Sequence, residues 1–209
     1  TSGATYEGKS VIIATGAETK WLDVPGEKEK IGHGVSSCAP CDAFFFKNKN
    51  VIVVGGGDSA MEEALVLTKF ATSVTLVHRR SEFKASKIML ERAQKNSKIK
   101  FILNSEVIEI LGHDKVTGVK IRNNKTDKIA EIPVDGIFVA IGHMPNSAVF
   151  GGIETDEQGF IKVKDHTKTN IEGVFVAGDV HDSHYKQAVT AAGFGCMAAL
   201  EVEKWLSNQ

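Results

Sequence analysis

The chain is poor in cysteine, carries almost no net charge and has no long apolar run, and each shortage excludes a class of protein. Three cysteines in 209 residues are too few for the disulfide scaffold of a secreted protein. No run reaches the ~18 apolar residues of a membrane span. A formal net charge of −1 gives no overall positive excess for nucleic acid. Because the first residues also lack a signal-peptide pattern, we expect a cytoplasmic protein that binds neither membrane nor nucleic acid.

Short apolar runs alternate with helical patterns along the chain, and this alternation predicts an α/β fold with a parallel sheet. Buried strands are expected at residues 10–16, 50–57, 73–80, 136–143 and 173–180. Helices are expected at residues 58–70, 85–95 and 186–206. Between residues 100 and 131 polar and apolar residues alternate, which predicts a small antiparallel insert. Cys196 lies in the last, apolar helix, where we expect it to be buried.

The sequence GGGDSA, from Gly55 to Ala60, has the spacing of a dinucleotide-binding loop. It follows a predicted strand and opens a predicted helix, for which Asp58 or Ser59 is available as the N-cap. Gly55 permits the tight turn, Gly57 lets the backbone approach a pyrophosphate, and Ala60 allows the helix to lie close to the strand. The helix N-terminus then offers free N–H groups and partial positive charge to the phosphates. A glycine-rich turn without a ligand is the alternative.

Three basic residues, His78, Arg79 and Arg80, stand at the end of the next predicted strand, and Lys84 follows four residues later. A site for NAD would have a carboxylate here to bind the ribose hydroxyls. A carboxylate would repel the 2′-phosphate of NADP, whereas paired guanidinium groups bind it through forked hydrogen bonds. The sequence therefore predicts NADPH as the coenzyme, with a solvated basic strand end as the alternative.

Cys38 and Cys41 are separated by two residues and are followed at once by Asp42. Thiols at this spacing can close a small disulfide ring, and one thiolate can attack an outside disulfide while the other resolves the mixed intermediate. Asp42 is placed to pass a proton to the departing thiolate. A zinc site would need four ligands, and the chain has no second CxxC and only His33 nearby, so no metal is expected. A structural disulfide without redox function stays an alternative.

Six segments occur in order along the chain: CAPCD, VIVVGGGDSAMEEA, VHRRSEFKASK, FVAIGHMPN, VFVAGDV and QAVTAAGFGCMAALEVEKWL. With this ordered set, the chain resembles the low-molecular-weight NADPH–thioredoxin reductases over nearly all of its length. The resemblance implies a Rossmann-like α/β flavoprotein with two dinucleotide-binding domains, in which the NADPH domain is inserted in the FAD domain. It implies FAD and NADPH as cofactors, thioredoxin as partner and a homodimer. The expected domains are residues 1–22 and 146–209 for FAD, and residues 23–145 for NADPH and the CxxC.

The resemblance also implies roles for individual residues. Electrons would pass from NADPH through FAD to the Cys38–Cys41 disulfide and then to thioredoxin, with Cys41 facing the flavin and Cys38 attacking the partner. Asp179, at the end of the last predicted strand, would accept hydrogen bonds from ribityl hydroxyls. The N-terminus of the last helix would stabilise negative charge on the reduced flavin. The residues expected to bind the two cofactors are Thr15, Gly16, Gly55, Gly57, Asp58, Ser59, Ala60, His78, Arg79, Arg80, Lys84, Asp179, Lys186, Gln187 and Ala188.

Three features depart from the pattern of that family. Its first FAD glycine motif is expected upstream of Thr1 and is absent from the sequence. We therefore expect the natural chain to begin earlier and this piece to hold FAD weakly. Lys84 stands where the family usually has Arg, and Ala43 stands where Gly is common. Two alternatives stay open: a flavoprotein that feeds an alkyl hydroperoxide peroxidase, whose usual preference for NADH disagrees with the basic strand end, and a non-catalytic NADPH-binding redox module.

Overall fold

The computed structural model describes residues 3–209, which divide into two compact units. One unit combines the residues up to Thr19 with His143–Gln209, and the other is Lys20–Gly142. The strands are β1 (Val11–Ile13), β2 (Ala17–Thr19), β3 (Val35–Ser36), β4 (Asn50–Gly55), β5 (Ser73–Val77), β6 (Ile99–Ile102), β7 (Ser105–Leu111), β8 (Gly118–Asn123), β9 (Ile129–Pro133), β10 (Gly136–Ala140), β11 (His143–Pro145) and β12 (Val174–Val176). The α-helices are α1 (Ala39–Asp42), α2 (Asp58–Leu67), α3 (Lys87–Gln94) and α4 (Ala188–Leu206).

The unit Lys20–Gly142 is built on a five-stranded parallel sheet with the strand order β3-β10-β4-β5-β6. Because successive side chains of a strand point to opposite faces, the apolar run of β4 serves two cores. Val51 and Val53 belong to the core on the face of α2 and α3. Ile52 and Val54 belong to the core on the other face, which contains side chains of β7 and β8. Continuous apolar strands are what a sheet covered on both faces requires.

The antiparallel insert begins later than the sequence predicts. Residues 100–102 belong to β6, which pairs in parallel with β5 at the edge of the main sheet. The antiparallel sheet is β7-β8-β9, which spans residues 105–133. Apolar and polar residues alternate in both segments, so the pattern of hydrophobicity cannot distinguish an edge strand of one sheet from the first strand of the next.

The second unit contains the parallel pair β1-β12 and the antiparallel pair β2-β11. Helix α4 packs on β12. Phe175 of the strand and Ala177 just after it form one apolar cluster with Ala198 of the helix. Residues 10–16 do not form the single buried strand that the sequence predicts: β1 has three residues, and only Ile13 among them is buried. Within residues 3–209, β1 pairs with β12 alone, whereas β4 is the central strand of a sheet with a core on each face, so β1 has fewer neighbours to bury it.

Cys196 is exposed, and the expectation that it is buried was wrong. Helix α4 is apolar along most of its length, but only one side of it contacts the strands of its unit. Apolar composition therefore does not report burial for this helix. The division of the chain into FAD and NADPH domains at residues 22/23 and 145/146 remains a prediction.

Candidate functional site

The glycine loop joins β4 to α2, and each of its glycines has a different environment. A Cβ on Gly55 would lie 2.4 Å from the carbonyl oxygen of Ala140 and 2.7 Å from the Cβ of Ala60, which is fully buried. A Cβ on Gly56 would lie 2.2 Å from the ring of His78. Beside Gly57 there is open space, with nothing within 4 Å. Gly55 and Gly56 are therefore required by packing, whereas Gly57 leaves room for a ligand.

The N-cap of α2 is Gly57, and the expectation of Asp58 or Ser59 was wrong. Asp58 is committed elsewhere, because its Oδ1 accepts a hydrogen bond of 2.7 Å from the backbone N–H of Ser86. With Gly57 as N-cap, the first backbone N–H groups of α2 lack a capping side chain. Such groups can bind an anion.

A cleft of about 680 Å³ opens beside this loop within the unit 20–142. The predicted cofactor residues that line it are Gly55, Gly57, Ser59, His78, Arg79, Arg80 and Lys84. Arg79, Arg80 and Lys84 are exposed, so their charges are available to a ligand. Trp21 and Glu106 also line the cleft and were missed by sequence reasoning. No sequence signal marks them, because they come from segments far from the glycine loop.

The ring of His78 packs against the glycine loop at Gly56. The imidazole is buried, stacks on Phe83 with a centroid distance of 5.0 Å, and its Nε2 lies 2.9 Å from the carbonyl oxygen of Glu82. The backbone N–H of Lys84 donates to the carbonyl oxygen of Gly56 at 2.8 Å. These contacts fix the segment that carries the basic side chains beside the glycine loop.

The two cysteines form a disulfide at the start of α1, in the same unit as the cleft. Cys38 precedes the helix and is half-buried, whereas Cys41 lies in the helix and is exposed. The backbone N–H of Cys38 donates to Ser36 Oγ at 3.1 Å. Ser36 Oγ in turn donates to Asp42 Oδ2 at 2.6 Å. Asp42 is half-buried, and buried Ser36 links its carboxylate to the backbone of Cys38, where the disulfide turn (residues 38–41) begins.

A second carboxyl, Glu63 of α2, reaches the same turn and was missed by sequence reasoning. Its Oε2 accepts a hydrogen bond of 2.5 Å from the backbone N–H of Ala39. Burial raises the pKa of Glu63 from 4.5 to about 7, the bond from Ala39 opposes this rise, and the charges of Glu62 and Asp42 add to it. A signal was present in the sequence: Ala60, Ala64 and Leu67 are buried at helical spacing, and Glu63 falls on that apolar stripe.

Two phenylalanines next to the disulfide turn are exposed. Phe44 and Phe45 are 68% and 70% accessible, and they follow α1 in a short 3₁₀ turn, Ala43–Phe46. Their rings lie 6.3 Å apart in an edge-to-face arrangement. Adjacent exposed aromatic residues are unusual on a surface without a partner.

The predicted FAD residues all lie in the other unit. Asp179 stands in the 3₁₀ turn Gly178–Val180 after β12. Within residues 3–209, its Oδ1 is one of three buried side-chain atoms that lack a hydrogen-bond partner, with Thr167 Oγ1 and His181 Nε2. Burial, together with Asp182, raises the pKa of Asp179, and burial lowers that of His181. An unpartnered buried carboxylate oxygen fits a site that receives hydroxyl donors from a ligand.

The other predicted FAD residues lie in two anchored loops of the same unit. Thr15 Oγ1 donates to the carbonyl oxygen of Asn146 at 2.7 Å, and the N–H of Asn146 donates to the carbonyl oxygen of Gly16 at 2.9 Å. The N–H of Lys186 donates to Asp182 Oδ2 at 2.9 Å. These bonds hold both loops in place.

Helix α4 begins at residue 188, two residues after the start that the sequence predicts. Ala188 is its first residue, and Gln187 is its N-cap, forming a capping box with Thr190. Asp182, missed by sequence reasoning, anchors the loop that leads to the helix. Its burial would raise its pKa, but backbone N–H groups of residues 184–186 donate to its carboxylate, and the net effect is a lowered pKa.

Among residues 3–209, no helix is both long and apolar enough to cross a membrane. Over the same range, no group of three or more His, Cys, Asp or Glu side chains is arranged to hold a metal ion.

A glycine loop with dinucleotide-binding spacing, the cleft beside it and a disulfide lie in one α/β unit, a combination typical of oxidoreductases that pass electrons between a dinucleotide and a disulfide. A family model described as pyridine nucleotide-disulphide oxidoreductase matches residues 1–195. Within that class, the chain belongs to the thioredoxin reductase family. It is 54% identical over 207 residues to a thioredoxin reductase of Mycolicibacterium smegmatis, an alignment that covers 98% of this chain and 67% of that protein.

Two further relatives agree with this assignment. A bifunctional thioredoxin reductase/thioredoxin of Mycobacterium leprae is 52% identical, with 99% of this chain and 45% of that protein covered. The crystal structure of a thioredoxin reductase from Streptococcus pyogenes has a TM-score of 0.93 and 45% identity, and covers 100% of this chain and 69% of that one. The chain thus spans about two thirds of the length of the single-function relatives.

The comparisons confirm the family, the fold class and the enzyme class that the sequence indicates, an oxidoreductase of the flavoprotein type. They also confirm FAD and NADPH as the cofactors that the family implies. The roles of the individual site residues remain predictions.

Proposed function

We propose that this chain forms the greater part of a thioredoxin reductase in which electrons from NADPH pass by way of FAD to the Cys38–Cys41 disulfide and then to thioredoxin. The observation that carries the proposal is the position of that disulfide on the unit that also holds the glycine loop and the basic rim of the cleft, formed by Arg79, Arg80 and Lys84. A structural disulfide would need neither neighbour. When bound, NADPH supplies a hydride and FAD relays its two electrons.

NADPH binds in the cleft of the unit 20–142. The free N–H groups at the start of α2 and the open space at Gly57 receive the pyrophosphate. The guanidinium groups of Arg79 and Arg80 bind the 2′-phosphate, assisted by the ammonium group of Lys84. The choice of NADPH over NADH thus resides in the basic rim.

FAD is held by the unit that contains β12 and α4. The unpartnered Oδ1 of Asp179 accepts a hydrogen bond from a ribityl hydroxyl, which would satisfy a buried acceptor. Thr15 and Gly16 line the same site from their anchored loop, and the first N–H groups of α4 stabilise negative charge on the ring. The N-cap Gln187 sets where those N–H groups begin.

Within the reduced pair, Cys38 attacks one sulfur of the partner disulfide as a thiolate, and the other partner sulfur leaves. Cys41 then attacks the sulfur of Cys38 in the mixed disulfide, which restores the Cys38–Cys41 bond and releases the second partner sulfur as a thiolate that takes its proton from solvent. Asp42 gives a proton to the leaving thiolate and takes one from Cys41. Its hydrogen bond with Ser36 holds its carboxyl at the entry to the disulfide turn.

The partner is thioredoxin, and the exposed pair Phe44 and Phe45 forms the apolar part of its docking surface. Aromatic side chains beside a reactive group are typical centres of binding energy in protein interfaces. The fusion of reductase and thioredoxin in the relative from Mycobacterium leprae supports this partner. By the family resemblance, the enzyme is a cytoplasmic homodimer.

The test uses the full-length flavoprotein and two protein substrates, thioredoxin and an alkyl hydroperoxide peroxidase. We expect NADPH oxidation to depend on thioredoxin, with kcat/KM for thioredoxin higher than for the peroxidase. Replacing Asp42→Asn keeps the shape of the side chain and removes its proton, so turnover should fall roughly 10²-fold while NADPH affinity is retained. A preference for the peroxidase would contradict the proposed partner. Absence of any NADPH oxidation with bound flavin present would contradict the enzyme assignment.

A further inference from the structure

Glu63 is a half-buried polar residue on the apolar face of α2, and its position requires an explanation. Residues 60, 64 and 67 on that face are fully buried and apolar. A carboxyl in such a position loses hydration and needs a hydrogen-bond partner. The partner is the backbone N–H of Ala39, which donates to Glu63 Oε2 at 2.5 Å. Ala39 directly follows Cys38, so the contact fixes the backbone between the two cysteines.

Two carboxyls therefore hold the disulfide turn from different elements. Asp42 holds the entry through Ser36 Oγ, to which the N–H of Cys38 donates. Glu63 holds the next residue, Ala39, from α2. Carboxyl groups therefore hold the backbone on both sides of the Cys38 side chain: Asp42 through Ser36 before it, and Glu63 at Ala39 after it.

The charged groups that act on the Glu63 carboxyl are Glu62 on its own helix and Asp42 on α1, and both are acidic. Burial and these two charges disfavour the ionised form, and together they outweigh the stabilising bond from Ala39. The pKa of Glu63 is raised to about 7, so this carboxyl changes charge near neutral pH.

We propose that Glu63 is a positioning residue for the redox pair: it fixes the turn at Ala39, and its charge sets how readily the reduced Cys38–Cys41 pair ionises. The inference rests on the proposed function, because it assumes that the pair cycles between disulfide and dithiol. A carboxylate next to a thiol disfavours the thiolate, whereas a neutral carboxylic acid does not. Protonation of Glu63 thus favours the nucleophilic thiolate, and ionisation of Glu63 opposes it.

The experiment measures thiol ionisation directly. The full-length flavoprotein is reduced with dithiothreitol, freed of reductant, and alkylated with iodoacetamide at pH values from about 5 to 9.5. The rate at the peptide that carries Cys38 and Cys41 is read by mass spectrometry, separately from exposed Cys196. The variants are Glu63→Gln, whose amide oxygen can still accept the N–H of Ala39, and the matched control Glu62→Gln one residue away.

For the wild type, we expect two inflections in the pH profile, one from the thiol and one near pH 7 from Glu63. In Glu63→Gln the inflection near pH 7 disappears, and the thiol pKa falls by roughly 0.5–1 unit because a negative charge is gone. Alkylation between pH 7 and 8 should then be roughly 3- to 10-fold faster. Glu62→Gln should keep both inflections, with the one from Glu63 moved to somewhat lower pH, because the exposed Glu62 only adds a charge that opposes ionisation of Glu63.

Three outcomes would overturn the inference: a wild-type profile with a single thiol inflection, a Glu63→Gln profile that superimposes on the wild type, or an equal effect of Glu62→Gln. The first needs no variant, so the inference stays testable even if Glu63→Gln folds poorly. A purely structural role would make the Glu63→Gln profile superimpose on that of the wild type, because glutamine keeps the acceptor. The assay needs neither NADPH nor thioredoxin, so its failure is distinct from a failure of the reductase assignment.

Discussion

Replacing Gly57 with alanine should abolish tight coenzyme binding and leave the fold intact, whereas the same change at Gly55 should damage the fold. Gly57 has φ −100° and ψ −175°, an extended conformation that alanine adopts without strain. Nothing lies within 4 Å of the added methyl group. At Gly55 the methyl group would meet a backbone carbonyl oxygen at 2.4 Å and a helix Cβ at 2.7 Å. One methyl group therefore tests ligand space at one position and packing at the other.

The magnitudes follow from these distances. At Gly57 the loss of a good N-cap and the gain from a less flexible unfolded chain nearly cancel, so the free energy of unfolding should change by less than about 1 kcal/mol. A methyl group in the pyrophosphate space should remove one hydrogen bond to a charged group, about 2–3 kcal/mol, or roughly a 30- to 140-fold loss of NADPH affinity. At Gly55 the overpacking should cost about 3 kcal/mol of stability.

Urea unfolding and NADPH titration of the full-length flavoprotein give the two quantities for each variant. Gly57→Ala should retain the wild-type unfolding midpoint and lose NADPH affinity. Gly55→Ala should unfold at a clearly lower urea concentration than the wild type. Wild-type affinity in Gly57→Ala would refute the placement of the pyrophosphate at this loop. Equal destabilisation by both changes would refute the distinction between the two glycines.

Three further predictions test other parts of the account. Changing Arg79 and Arg80 to Ala should weaken NADPH binding by about 1.5–3 kcal/mol per lost contact and NADH binding far less; equal losses would exclude a role in binding the 2′-phosphate. Glu63 has its pKa raised from 4.5 to about 7, so its protonation stabilises the fold at low pH and this contribution is lost as pH rises from about 4.5 to about 7. Glu63→Gln should therefore gain roughly 1–3 kcal/mol relative to the wild type between pH 5 and pH 8 in unfolding experiments, and a pH-independent difference would contradict the shift. Changing Phe44 and Phe45 to Ala should raise KM for thioredoxin about tenfold or more, with little change in stability because both are exposed; an unchanged KM would place the docking surface elsewhere.

The sequence predicts those parts of the fold that depend on local pattern. Strand β4 and helix α2 appear where the apolar run and the glycine loop place them, because a run buried on both faces and a strand-to-helix turn have strong local signals. The short strand β1 is less buried than its sequence suggests, and the apolar helix α4 exposes Cys196. Burial of these elements depends on which neighbours cover them, and local composition does not report that.

The candidate site shows the same division. The residues of the CxxC and of the basic strand end are recognised by spacing, and the structure groups the latter around one cleft. Glu63 was missed because its role depends on a contact with Ala39 of a different element, and Ser36 was missed because its bond to Asp42 depends on how the chain turns between them. The N-cap of α2 was assigned wrongly for the same reason: Asp58 is drawn to Ser86, 28 residues along the chain.

The most direct test of the central claim is a reaction of the full-length flavoprotein carrying Cys38→Ser with NADPH and oxidised thioredoxin. Flavin absorbance and free thiols on thioredoxin are followed in the same sample. Because Cys38 is the thiol that attacks the partner, the variant should show reduction of its flavin by NADPH at the wild-type rate and form no thioredoxin dithiol above background. The matched variant Cys196→Ser, which alters the exposed cysteine outside the pair, should behave as the wild type. Thioredoxin reduction at the normal rate by Cys38→Ser would contradict the claim that the Cys38–Cys41 pair carries the electrons.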